Sequence, residues 1–538
     1  MGYYLNSNDC LSQFQNEAAK PFFVDKTCIL NEIIPLVEQG GYSLCITRPR
    51  RFGKSMIASM IGSYFSRGMD SSGVFDSLKI SENSSYRSHL NQHNLIYVDF
   101  SKYDDEYHDY SSYIGNIKDI LREDLHAAYP DVYFRKKGTV AEDMKRIHQS
   151  TGERFILVFD EWDCVFHKNF FTENDRKSYV SFLANLTKGV GCVSFTYMTG
   201  VLPIAKYSQS DTLNNFMEYT MATQPMYNEY FGFTDEEVDD LYERYCRIQK
   251  DPAVTREDLR FWYDGYHTAA GTRMYNPRSV VYALTNNHLA SYWTGSGQYS
   301  EISAYIAGNA GKIEGLKEDV IMMVASEPVP ASIEEYAATA MNLSTKEEVF
   351  SAMVVYGFLN YEDGCVRIPN RELMDEFGKT IRKEASYNYV RELEKQSERV
   401  LQATLAENTG VIEEILEFVH HSESPLKAYN DEAELSGSIR LAYISARNKY
   451  DIQREDQAGI GYVDYIFYPY NKNEDGIIIE LKVDDTAENA IKQIKDKKYA
   501  LKFKGKLGEK PKTNGRILAV GIGYRKKDKV HHCKIEVL

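Results

Sequence analysis

Residues 43–65 read SLCIT, RPRRFGKS, MIASMIGSYF, and the fold of the first half of the chain turns on them. SLCIT is a short apolar run and predicts a strand. MIASMIGSYF predicts an amphipathic helix. Between them, Gly53-Lys54-Ser55 closes a loop that begins at Arg48. This strand–loop–helix order is the setting of a Walker A phosphate loop. There the backbone N–H groups at a helix N-terminus cradle phosphate oxygens. Lys54 would contact the β- and γ-phosphates, and the Ser55 hydroxyl would be a Mg²⁺ ligand. The general pattern GxxxxGK[ST] has glycine where this chain has Arg48. Arg48, Arg50 and Arg51 are expected to add positive charge around the phosphates.

A second run supports the first. Phe155–Phe159 is an apolar strand that ends in Asp160-Glu161. That is a Walker B pattern: Asp160 would hold Mg²⁺ and Glu161 would polarise the attacking water. Asp163, as a lone acidic residue, is read as a surface or capping group. A third strand, Val193–Met198, ends in Thr199-Gly200, and Thr199 could sense a γ-phosphate. Strands separated by helical stretches predict a parallel sheet.

With FFVDKT (22–27), TRPRRFGKS (47–55), VFDEWD (158–163), MTG (198–200), FGFTDEEV (231–238), WYDGYH (262–267) and YNPRSV (275–280), residues 1 to about 290 resemble the AAA-ATPase-like family. That family itself has RPRRFGKS, so Arg48 departs from the general rule and not from the family. The resemblance implies binding of ATP, and its hydrolysis, with Lys54, Ser55, Asp160 and Glu161 as the acting residues. The full set expected around the nucleotide is Arg50, Arg51, Phe52, Gly53, Lys54, Ser55, Asp160 and Thr199, with Glu161 catalytic. WYDGY is read as an aromatic turn that packs, with Asp264-Gly265 at its bend. The acidic run Asp235–Asp240 is read as a solvated helix start.

The C-terminal region carries a different constellation. Asp464 lies in the alternating strand GYVDYIFYP, and Glu480 and Lys482 lie two apart in GIIIELKV. A period of two puts Glu480 and Lys482 on one face. The turn at 470–476 predicts a hairpin that brings Asp464 beside Glu480. Two carboxylates and a lysine on adjacent strands form a PD-(D/E)xK-type metal site for Mg²⁺ or Mn²⁺. Lys482 would position water or stabilise charge on phosphate. Gln493, on the helix after the ELK strand, would face the site, with Tyr499 along the same helix. Glu432, near a helix start, could add a carboxylate to the metal. Residues 425 to 538 resemble the PD-(D/E)xK nuclease superfamily domain that accompanies this ATPase. The resemblance places Glu432, Asp464, Glu480, Lys482 and Gln493 at its active positions. Nine lysines against three acidic residues between Thr486 and Lys512 would suit contact with a phosphate backbone. His531 and His532 are read as surface residues.

Composition sets the outer limits. The chain has 538 residues, 43% hydrophobic and 26% charged, which predicts several globular domains. The net charge of −15 excludes a uniformly basic nucleic-acid binder but leaves a local basic face open. No apolar run approaches the ~18 residues of a membrane helix. The start of the chain carries neither a basic nor an apolar leader segment. Eight scattered cysteines form no CxxC pair, which predicts a reduced, cytoplasmic protein without a cysteine zinc site. The expected architecture is α/β. It comprises an AAA-like P-loop NTPase domain with a parallel sheet (1–240), a helical, winged-helix-like region (241–390), and an α/β PD-(D/E)xK nuclease-like domain (391–538).

Two functions compete. In one, ATP binding and hydrolysis accompany metal-dependent cleavage of nucleic-acid phosphodiesters, DNA ahead of RNA. In the other, the chain is a nucleotide-dependent switch whose nuclease fold binds nucleic acid or a partner without cutting. A homo-oligomer is left open, and no membrane partner is expected.

Overall fold

The computed structural model describes residues 2–102, 107–168, 171–189, 191–204, 213–293, 305–306, 309, 312–324, 326–333, 343–383, 388–421, 432–457, 462–504 and 511–538. The chain divides into two compact units. The first comprises Met1–Glu314 with Pro328–Phe377, and the second Gly315–Glu327 with Gly378–Leu538.

The first unit is built on five strands: β1 (Tyr42–Thr47), β2 (Asn94–Asp99), β3 (Phe155–Asp160), β4 (Val193–Gly200) and β5 (Met217–Tyr219). They lie in the order β2-β3-β4-β1-β5, and every pairing is parallel. β3 and β4 are buried along their whole length, as a sheet covered on both faces requires. The helix Lys54–Phe65 follows β1 and packs on β3 and β4. Ile57, Ala58 and Ile61 meet Ile156, Val158, Phe195 and Tyr197 in one apolar core. Because all five strands run the same way, the turns after β1, β3 and β4 gather at one edge, where α/β sheets place their ligands.

Three further helices form a second apolar cluster. These are Asp235–Ile248, Arg256–Tyr263 and Pro277–Asn286. Their starts are written in the sequence. Thr234 with Glu237 and Thr255 with Asp258 form capping boxes, and Asn276 caps a helix that has Pro277 in its first turn. The acidic run is not merely solvated. Asp235 and Asp239 pair with Arg256 at 2.6 and 2.5 Å, and Glu237 binds the buried Lys26 at 2.6 Å. A small hairpin, β6 (Tyr266–His267) with β7 (Arg273–Met274), follows the WYDGY segment. Tyr263 and Tyr266 are fully buried, in keeping with a packing role.

The same unit also holds the helix Lys346–Tyr356 and a three-stranded antiparallel sheet. Its strands are β8 (Val329–Pro330), β9 (Asn360–Glu362) and β10 (Cys365–Arg367), in the order β8-β10-β9. Asp363 and Gly364 both have positive φ, as the two-residue turn of the β9–β10 hairpin requires.

In the second unit the strands are β11 (Tyr450–Gln457), β12 (Tyr462–Pro469), β13 (Gly476–Val483), β14 (Ile517–Arg525) and β15 (Val530–Val537). They lie in sequence order. β13 and β14 are parallel, and the other pairings are antiparallel. The parallel pair needs a crossover, which the helix Ala487–Asp496 supplies by packing on β13, β14 and β15. Among the described residues, no helix is long and apolar enough to cross a membrane.

Candidate functional site

The phosphate loop connects β1 to the helix Lys54–Phe65. Gly53 has φ 88°, a left-handed conformation that a side chain would disfavour. Arg51 also has positive φ, at 69°. The Phe52 carbonyl accepts the Gly232 N–H at 3.1 Å, which fixes the loop from outside. The first N–H groups of the following helix have no partner within that helix, and they carry its positive dipole end. Lys54 is buried, and its Nζ donates to the Pro49 carbonyl at 3.2 Å.

Arg48 does not join the cradle, contrary to the expectation from sequence. Its guanidinium is 1% exposed and donates to the carbonyls of Thr47 and Tyr219 and to Asn228 Oδ1, at 2.7, 2.8 and 2.9 Å. It also lies 4.9 Å from the Phe231 ring. It therefore ties β1 to β5 and to the turn at Asn228. Burial pushes its pKa down to about 9. Arg50 lies over the ring of Tyr356 at 5.7 Å, and its charge also acts on Glu161. Arg51 donates to the Tyr292 carbonyl at 3.1 Å. The Phe52 ring is buried edge-on against Tyr266 at 5.0 Å.

β3 delivers the two acids. Asp160 is buried, and its pKa rises to about 7, through burial first and then the charges of Glu161 and Asp99. A hydrogen bond from Ser55 and the charge of Lys54 oppose the rise. Crowded carboxylates beside the Ser55 hydroxyl fit a divalent cation, whose charge would relieve the repulsion. Glu161 follows in the left-handed region, with φ 49° and ψ 45°. That conformation costs a side-chain-bearing residue roughly 1–2 kcal/mol. The next residues hold it there. Trp162 Nε1 donates to the Leu202 carbonyl at 3.1 Å, and Asp163 accepts the N–H groups of Val201 and Leu202 at 3.1 and 2.8 Å. Asp163 is thus a buried brace and not a surface acid.

Thr199 lies on β4, between the loop strand and the acidic strand. Its hydroxyl is fully buried and donates to the Ile46 carbonyl of β1 at 2.9 Å. This structure directs it to the sheet and not toward a phosphate.

A cavity of about 510 Å³ opens beside the loop. Arg51, Phe52, Gly53, Lys54, Ser55 and Glu161 line one side. Phe22, Phe23, Val24, Phe233 and Tyr282 form an apolar wall, and Lys26 and Arg278 add charge. The volume suits a small ligand, with cationic and apolar ends side by side. The reading of the loop missed this wall. Its signal was available in FFVDKT and YNPRSV, but neither segment is near the loop in sequence.

The second centre lies on β12 and β13. The hairpin pairing is registered as far as Tyr465 opposite Ile479. One residue beyond, the Asp464 carboxylate takes the Leu481 N–H at 2.7 Å. Glu480 is 2% exposed. Its Oε1 accepts from Gln493 Nε2 and lies 3.6 Å from Lys482 Nζ, while Oε2 is buried without a hydrogen-bond partner. Its pKa rises to about 8, through burial first and then the Asp464 charge, against the pull of Lys482. An orphaned buried carboxylate oxygen beside a second carboxylate fits a divalent cation. Asp464, Glu480, Lys482 and Gln493 therefore come together. Tyr499 reaches Gln493 from a 3-10 turn after the helix has ended, not from the helix itself. Glu432 begins a helix, but its side chain lies outside the described ones. Among the described residues, no three His, Cys, Asp or Glu side chains gather as a metal-holding group.

Part of the basic stretch is already engaged. Lys495 pairs with Glu536, and Lys512 sits 4.0 Å above the Tyr468 ring. His531 is buried against Glu417 at 2.8 Å and is not a surface residue. His532 is partnered by Arg525 at 2.7 Å.

Comparison with known proteins gives a consistent division. The model of a family described as a predicted AAA-ATPase matches residues 12–209, and that of the PD-(D/E)XK nuclease superfamily matches residues 432–530. Among solved structures, the Walker-type ATPase paby2304 of Pyrococcus abyssi is 12% identical over 64% of this chain and 95% of its own, with a TM-score of 0.35. The Aeropyrum pernix ORC2 protein in its ADPNP–ADP complexes is 10% identical over 65% and 93%, with a TM-score of 0.30. Drosophila ORC bound to DNA is 9% identical over 84% and 87%, with a TM-score of 0.24. No curated protein matches this chain in sequence.

Proposed function

We propose that this chain, in which a predicted AAA-ATPase domain is joined to a PD-(D/E)XK nuclease-superfamily domain, hydrolyses ATP at the phosphate loop and cleaves nucleic-acid phosphodiesters at Asp464, Glu480 and Lys482. Mg²⁺ at both centres, or Mn²⁺ at the second, would offset phosphate charge and activate water. Ser55 and Asp160 would hold it at the first centre, and Asp464 and Glu480 at the second. Lys54 and the N–H groups around Gly53 would bind the phosphates. Glu161, at the end of β3, would accept a proton from water in the first reaction. The apolar wall of Phe22, Phe23 and Phe233 would take the base. At the second centre, Gln493 and Lys482 orient the Glu480 carboxylate, and Lys482 stabilises negative charge on a phosphate oxygen.

The observation that carries the nuclease reading is the buried Glu480 carboxylate with one oxygen unpartnered, set beside Asp464. The test uses labelled single- and double-stranded DNA and RNA, with Mg²⁺ or Mn²⁺, with and without ATP, beside Glu480→Ala. Cleavage by the native chain that falls about 100-fold or more in the variant is the expected result. ATP turnover with every substrate intact would replace this reading with a nucleotide-dependent switch whose nuclease fold binds without cutting.

A further inference from the structure

The outer face of the phosphate loop is not open. Pro49 packs against Gly357: a Cβ placed on Gly357 would lie 2.6 Å from Pro49 Cβ. Gly357 ends the helix Lys346–Tyr356 at φ 80°, so both contact and backbone call for glycine. Tyr266 donates its hydroxyl to the Gly357 carbonyl at 2.9 Å and packs edge-on against Phe52 of the loop. Arg50 lies over the Tyr356 ring at 5.7 Å. Pro49, Arg50 and Phe52 therefore all meet, directly or through Tyr266, the turn that joins this helix to the β9–β10 hairpin.

The acidic turn meets the same residue from the other side. His167 Nε2 lies 3.3 Å from Asp163 Oδ2, and its ring stands edge-on to Tyr356 at 6.0 Å. Asp163 in turn braces the turn that bears Glu161. The positive charge of Arg50 acts back on Glu161. The contacts thus run from Asp163 through His167 and Tyr356 to Arg50, whose charge reaches Glu161. Only Tyr356 comes from outside the parallel-sheet core. Beside this path runs an apolar cleft of about 350 Å³, with Pro49, Val201, Pro203 and Met221 on one side and Val354 and Val355 on the other. The helix is buried along most of its length, from Val349 to Tyr356, and its C-terminal end meets the loop.

We propose that Tyr356 is a positioning residue for the ATP site. By seating Arg50 and, through His167, the turn that bears Glu161, it makes turnover depend on docking of the helix–hairpin element against the phosphate loop. The inference rests on the ATP reading above and adds the regulation of that site. The aromatic face of Tyr356 orients the Arg50 guanidinium. A nucleotide that draws Arg50 inward releases Tyr356, and displacement of the element loosens Glu161. By linkage the two effects are reciprocal in binding.

The test uses the full chain and reads binding and turnover separately. A fluorescent ATP analogue with Mg²⁺ gives Kd, and phosphate release gives kcat. Tyr356→Ala should lower kcat about 10-fold or more and change Kd less than about threefold, whereas Tyr356→Phe, which keeps the ring, should restore turnover to within about twofold. Hydrogen exchange of the native chain provides a readout without turnover or substitution. A non-hydrolysable ATP analogue should change protection in residues 349–358 at least about threefold. Unchanged exchange there, or native kcat in Tyr356→Ala, overturns the proposal. Lys54→Ala separates the two readings. If the native chain binds the analogue no better than Lys54→Ala, the ATP reading fails and this one with it. If binding is Lys54-dependent but exchange at 349–358 does not move, this one fails alone.

Discussion

Glu161 and Thr199 show how much a residue's role depends on where its backbone points it. Glu161 sits at the end of a buried strand in a left-handed conformation, held by Trp162 and Asp163. Its removal as a base should leave the phosphate contacts in place. Glu161→Gln is expected to bind ATP with Kd within about threefold of native and to hydrolyse it about 100-fold or more slowly, measured by titration and single-turnover phosphate release. Thr199 gives the opposite case. Its hydroxyl is directed to the Ile46 carbonyl. Thr199→Val should therefore lose about 1 kcal/mol of stability in urea unfolding while nucleotide affinity stays within about twofold. A fall in affinity of tenfold or more would restore the sensing role that its position at a strand tip suggested. The placement of Asp160 and Glu161 at the end of a buried strand was legible because an apolar run that stops at two acids marks a strand edge. Arg48, Asp163 and His531 were misjudged because burial of a charged side chain is decided by partners far away in sequence, here Tyr219, Leu202 and Glu417.

At the scale of elements, the helix Pro277–Asn286 brings Arg278 and Tyr282 to the cavity, and one buried acid helps to hold it. Glu372 is 1% exposed and accepts from Ser279 Oγ at 2.7 Å and from the Trp293 N–H at 2.6 Å. Burial raises its pKa to about 7 against these hydrogen bonds and the charge of Arg51. Between about pH 4.5 and 7 the folded chain therefore binds a proton that the unfolded chain releases. Stability from this group is complete below the unfolded value and is lost as pH rises through about 7. Thermal unfolding of the native chain should fall more steeply from pH 5 to 8 than that of Glu372→Gln. Equal slopes would mean that Glu372 is ionised in the folded state throughout. Helix starts were readable from Thr-x-x-Glu and Asn-Pro patterns, since capping is local chemistry. The wall opposite the phosphate loop was not, because it is assembled from segments more than 200 residues apart, Phe22 to Phe233 and Tyr282.

At the scale of the whole molecule, the two family matches fall in separate compact units, 12–209 within the first and 432–530 within the second. No residue is shared between the two centres. Glu480→Ala, which should abolish cleavage, is therefore expected to keep ATP turnover within about twofold of native, and a larger fall would mean that the second unit acts on the first reaction. The helix–hairpin element lies inside the first unit, so its dependence on Tyr356 should persist in Glu480→Ala. The sequence by itself determined the two domain types, through a phosphate loop before a helix, two acids after an apolar strand, and Asp464 with Glu480 and Lys482 across a hairpin. Each is a short pattern whose geometry follows from the 2.0 period of a strand or the start of a helix. Only the tertiary structure decided which charges are buried, which residues form the apolar wall of the cavity, and that Tyr356 meets both the loop and the acidic turn. Those depend on long-range packing, where a side chain's environment is set by elements that no local pattern can place.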